Sequence, residues 1–84
     1  MNAEELGLVF SDLENIEMKN ANFDLQLVQQ SSFEDASIID SIFNSFAVIN
    51  SNFKNTDLED SIVSIRFIDE ETDLSCKNNS ICKP

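Results

Sequence analysis

The thirty residues SSFED ASIID SIFNS FAVIN SNFKN TDLED, numbered 31–60, carry a large apolar side chain at every fifth position: Phe33, Ile38, Phe43, Val48, Phe53 and Leu58. The same step runs back through Val28, Phe23, Met18 and Leu13 to Leu8, and forward to Val63 and Ile68. It scores thirteen apolar residues in thirteen steps in a chain that is 42% apolar. Composition alone would produce such a run on the order of once in tens of thousands of trials. Two residues before the apolar site, a small residue recurs at Ser11, Ala21, Ser31, Ala36, Ser41, Ser51, Thr56 and Ser61. Residues two apart on an extended chain face the same way, so each small residue shares a face with the large one that follows it. The Asp, Asn, Glu and Ser that fill the remaining positions must then turn a corner. The next step is Asp73, where this register ends.

A longer period of twenty lies on top of the period of five. The positions two before the centre that are not small include Leu6, Gln26, Phe46 and Arg66, each twenty apart, while Ser11, Ser31 and Ser51 form a second column. Phe33 falls over Phe53 and Phe23 over Phe43. The stretch DASIIDSIFNSFAVI (35–49) could be read as an amphipathic helix, but helix periodicity cannot hold a chain-long five-residue register. One Gly and one Pro are also too few for the hairpins of an ordinary meander.

Segments such as NANFD, SSFED, NSNFK and NTDLE resemble the pentapeptide-repeat family, whose pattern is A-(D/N)-L-x-x with the central Leu or Phe facing inward. The resemblance implies an all-β fold, a right-handed, parallel, four-sided β-helix with four pentapeptides per coil and about three coils here. The expected organisation is a lead-in over 1–5, the β-helix over 6–70 and a disordered, polar, Cys-containing C-terminal tail over 71–84. Three coils leave two open ends, so caps or a partner are expected.

Charge narrows the function. The 84 residues carry sixteen Asp plus Glu against five Lys plus Arg, a formal charge of −11. Neutralising phosphate needs clustered Lys and Arg, so nucleic acid and anionic membrane surfaces are not expected partners. No apolar run reaches the roughly 20 residues of a membrane span. The acidic start MNAEEL lacks the basic and apolar features of a signal peptide, which points to the cytoplasm, where a structural disulfide is not expected. With no His, no Gly-rich loop and no nucleophile–base pair, no catalytic residue, metal site or cofactor is expected, and the chain reads as a binder and not an enzyme.

The side centred on Leu8, Val28, Val48 and Ile68 is more apolar outside than its neighbours. Leu27, Ala47, Ile49 and Phe67, with Leu25 and Ile65 at the adjoining corner, are the expected partner-binding residues. An apolar patch of that size marks a protein interface, either a homodimer or another protein.

The tail, ETDLSCKNNSICKP, differs in composition. Residues 1–74 hold all sixteen acids and only Lys19, Lys54 and Arg66, whereas 75–84 hold Lys77, Lys83, both cysteines and no acid. Thr72, Ser75, Cys76, Ser80 and Cys82 are candidate modification sites. Such a layout is similar to ribosomally made, modified peptide precursors, with the β-helix as a leader bound by a modifying enzyme and a Cys/Ser core released for export. A disulfide between Cys76 and Cys82 after export, free thiols, an acidic DNA mimic and a generic interaction or inhibitor module are the alternatives.

Overall fold

The computed structural model describes residues 2–83. It contains β1 (Asn2–Val9), β2 (Glu17–Lys19), β3 (Asn22–Gln29), β4 (Ser37–Ile39), β5 (Ile42–Ile49) and β6 (Ile62–Ile68), and no helix among the described residues. All pairing is parallel: one sheet runs β1-β3-β5-β6 and a second pairs β2 with β4. Single bridges Asp12–Ser32–Asn52 form a further side, and Ser37–Asp57 extends the β2–β4 ladder by one coil. The partners are twenty residues apart, as in Asn22–Ile42–Ile62 and Phe23–Phe43–Val63. The chain is therefore an all-β solenoid of about three coils.

The period of five is the period of its corners. Phe10, Asn15, Asn20, Gln30, Asp35, Asp40, Asn50, Asn55 and Asp60 all have positive φ, between 47° and 62°. Asn and Asp dominate because their short polar side chains tolerate the left-handed region. The apolar centres stack inward: Phe33 lies on Phe53 with ring centroids 4.8 Å apart, and Phe23 tilts over Phe43 at 5.2 Å. Phe43 also meets Phe33 and Phe53 edge-on at 5.7 and 5.9 Å, which makes it the hub of the core.

The small residues do more than save space. Ser41 Oγ accepts the Ala21 N–H at 3.0 Å and donates to Ile39 O, while the Ser41 N–H donates to Ser61 Oγ at 3.0 Å. Ser11, Ser31 and Ser51 repeat the arrangement, and the Ser51 N–H passes to Thr72 Oγ1. Each hydroxyl satisfies a backbone N–H of the preceding coil that would otherwise be buried unpaired.

Two features depart from the expected register. At the fourth corner of each coil (Leu25, Ser45, Ile65) no residue has positive φ, so the strand runs through without breaking. Leu25 and Ser45 turn inward there, at 3% and 4% exposure, while Gln26, Phe46 and Arg66, expected inside, are exposed. The Leu6 side chain of that column lies outside the described side chains.

The second departure is the tail. It is ordered and continues the solenoid. One extra residue enters between Ile68 and Thr72, so Asn52 pairs with Asp73 at a spacing of 21 and Leu74 takes the inward position, 9% exposed. The spacing returns to twenty at Asp57–Lys77. Asp69 builds the inserted turn: its carboxylate accepts the Asn50 N–H, the Thr72 N–H and the Thr72 hydroxyl.

Candidate functional site

Two regions of the surface stand out, the outer face of β5 and β6 and the folded C-terminal end. The strand β6 is the edge of the four-stranded sheet, and it carries Ile62 and Phe67 at 64% and 54% exposure. On the neighbouring β5, Phe46 is 59% exposed and the Arg66 guanidinium sits 5.9 Å from its ring, a cation–π arrangement that leaves the ring open to solvent.

Of the six expected partner-binding residues, the structure brings Leu27, Ala47 and Phe67 into one row across three strands, with Ile49 two residues along. Leu27 and Ile49 are half-buried and Phe67 is open. Leu25 and Ala47 are corrected to buried residues, at 3% and 8% exposure, and Ile65 is half-buried against the core. Leu25 points inward because its corner lacks a left-handed residue. Sequence reasoning placed Ile42 and Ile62 on the adjoining outer side, where they are exposed, but missed Phe46, which its place two before Val48 assigned inward.

The C-terminal end is a cap. Cys76 and Cys82 form a disulfide with Cα atoms 5.1 Å apart, whereas the acidic N-terminus suggested a compartment in which one is not expected. Cys76, Ile81 and Cys82 pack on the core beside Leu74. The Asn79 amide donates to Ser61 O at 2.8 Å and to Leu58 O at 3.3 Å, and the Lys83 N–H donates to Leu74 O at 2.7 Å. These bonds give partners to Ser61 O and Leu74 O at the open end of the coil, and a second one to Leu58 O, which also accepts the Ser61 N–H.

The five candidate modification residues lie within this cap. Thr72 is the last rung of the Ser11–Ser31–Ser51 column, and Ser75 donates to Asp73 Oδ1. Ser80 is exposed, and both cysteines are consumed by the disulfide. Between the inserted turn and the cap lies an open groove of roughly 660 Å³, lined by residues including Ile68, Asp69, Thr72, Leu74 and Ile81. Asp69 is held below the ordinary carboxylate range by the Thr72 hydroxyl and then the Asn50 N–H. Asp73 is lowered by the Ser75 hydroxyl and N–H. Hydrogen bonds to the charged form have this sign, and both carboxylates act as turn-builders. Among the described residues, no three or more Cys, Asp or Glu gather as a metal set, and no helix is long and apolar enough to cross a membrane.

A family model described as the SV2A/B/C luminal domain matches residues 5–76, most of the solenoid and the first cysteine. No curated protein and no solved structure matches.

Proposed function

The chain belongs to the SV2A/B/C luminal domain family, and on that premise we propose that it is a non-catalytic protein-binding module of the luminal side, a pentapeptide-repeat-type solenoid that engages a protein partner through the outer face of β5 and β6. The observation that carries the reading is the exposure of Phe46, Ile62 and Phe67 on two neighbouring strands, with Ile42 beside them; the remaining exposed large apolar residues, Val9 and Phe10, lie at the end of the first strand. Large aromatic side chains left open on a small domain favour a protein contact. The luminal placement draws on the family description and on the Cys76–Cys82 disulfide, which forms and persists in oxidising compartments.

The precursor reading, with residues 72–84 as a modified core, is weakened by the way those residues fold. Their thiols are spent on each other, and Leu74 is buried in the last coil. The acidic DNA-mimic reading has less support, because the side chains that stand out on the sheet face are aromatic and aliphatic.

A photo-crosslinking residue at position 67, with one at exposed Glu59 as control, tests the proposal in cells. Position 67 is expected to yield a discrete cross-linked protein, a second copy of the chain included, and position 59 none. Equal labelling from the two sites, or none from position 67, refutes it.

A further inference from the structure

The strands β3, β5 and β6 hold only two of the chain's charged side chains, Asp24 and Arg66, and we infer that this surface binds a second copy of the chain in a two-fold dimer whose axis runs along β5. The inference rests on the reading proposed above, that the outer face of β5 and β6 is a protein contact, and it names the occupant. Sixteen acids against five basic residues give each chain a formal charge of −11, so two copies repel except where a surface carries no unbalanced acid. The side bearing exposed Asp12 and Glu14 fails that condition, as does the side bearing exposed Glu17 and Glu59. On β3, β5 and β6 the single acid and the single base cancel.

The two charges stand on opposite sides of the central strand. In the sheet order, β5 lies between β3 and β6. Asp24 of β3 is in register with Asn44 of β5, which is in register with Ser64 of β6, and Arg66 lies two residues further on. Both charged side chains are exposed. A two-fold axis along β5 keeps the strands of the two copies parallel and reverses their order, so β3 of each copy faces β6 of the other. Asp24 then faces Ser64 of the second copy, about 7 Å along the strand from Arg66, a gap that the long guanidinium side chain spans. Because such a contact is isologous, the pair forms twice. Phe46, 59% exposed on β5, falls on the axis against its own counterpart, and exposed Phe67 faces half-buried Leu27. Centring the axis on β5 also leaves β1, with Glu4 and Glu5, beyond the second copy's β6 and outside the overlap.

Apolar contact and charge divide the work. Binding energy concentrates in an aromatic side chain at the centre of a contact, which is the place of Phe46. Charges at the rim add little affinity, but they fix the register and reject wrong partners. Three strands, about 14 Å across and about 26 Å along, bury less than about 1,000 Å² over two copies. That is below the area of permanent complexes, so the dimer forms and dissociates with concentration.

The test follows the full chain by sedimentation velocity from about 5 to about 500 µM, the range in which a contact of this size dissociates. The wild type is expected to pass from monomer to dimer across that range, and Phe46→Ala to stay monomeric. Asp24→Arg and Arg66→Asp each set like charges opposite one another and are expected to weaken the dimer at least about tenfold. The combined variant Asp24→Arg/Arg66→Asp exchanges the pair and is expected to restore wild-type association. Thermal melts matching the wild type confirm that each variant is folded. A wild-type chain that remains monomeric at the highest concentration overturns the dimer. Single exchanges that associate as the wild type does, or a combined exchange no stronger than the singles, overturn the axis along β5. A monomeric chain whose position 67 still cross-links to a different protein overturns the second copy alone, whereas no cross-link from position 67 refutes the underlying reading of the face as well.

Discussion

Opening the Cys76–Cys82 disulfide is the perturbation that separates a structural cap from an ornamental tail. The two cysteines are six residues apart, and closing so short a loop removes unfolded-chain entropy worth about 2.3 kcal/mol at 25 °C. If the cap frays on reduction, the Lys83–Leu74 and Asn79–Ser61 hydrogen bonds go as well, at about 1 kcal/mol each. The expected loss is therefore about 2–4 kcal/mol. Unfolding entropy of about 2.1 cal/mol/K per residue, over 84 residues, converts the lower figure to a fall in Tm of about 11 °C. The assay is thermal unfolding followed by the β-sheet circular dichroism signal, with and without a phosphine reductant. The Cys76→Ser/Cys82→Ser variant controls for reductant effects and should match the reduced wild type. Reduced and oxidised protein melting within about 2 °C of each other would refute the assignment of residues 76–82 as a cap.

Two other expectations follow from the core and the inserted turn. Phe43→Ala removes the ring that touches Phe23, Phe33 and Phe53 and should cost about 3–5 kcal/mol, enough to unfold most of a domain this small, whereas Phe46→Ala at an exposed site should stay within about 0.5 kcal/mol; urea titration compares them, and equal losses would deny the inward and outward assignments. Because the Asp69 and Asp73 carboxyls sit below their ordinary range, their contribution is present above the unfolded-state value and disappears as pH falls through the lower folded-state values. Acid titration of stability should show a loss beginning near the ordinary Asp range, about pH 4, and continuing below it, and Asp69→Asn should flatten that loss; an unchanged acid limb in the variant would count against the turn-building role of Asp69.

The positions of Phe23, Phe33, Phe43 and Phe53 were legible because burial recurs every five residues, and one apolar face repeated that often leaves a signature no other fold shares. The small residues before them were legible too, since only a short side chain fits beside the stacked rings. Their hydroxyl ladder was not, because pairing Ser41 with the Ala21 N–H requires knowing which coil lies above which. Leu25 and Phe46 were assigned to the wrong faces for a related reason. Three corners of each coil take positive φ, at Asn or Asp everywhere but Phe10 and Gln30, while the fourth is made by extended backbone and shifts the inward residue by one.

The sequence by itself determined the period, the coil length, the acidic body and the core residues that fall on the five-residue step, all of which depend on side-chain type and spacing. Only the tertiary structure decided the end of the chain. A single extra residue at the Asp69 turn breaks the five-residue count, and the continuation through Leu74 is visible only when Asn52 meets Asp73 across the ladder. The disulfide likewise needed Cys76 and Cys82 to be brought within 5.1 Å, since spacing along a chain does not state distance in space. Periodicity reports what repeats. The cap, the disulfide and the open aromatic face occur once, and their placement depends on contacts between residues about twenty apart.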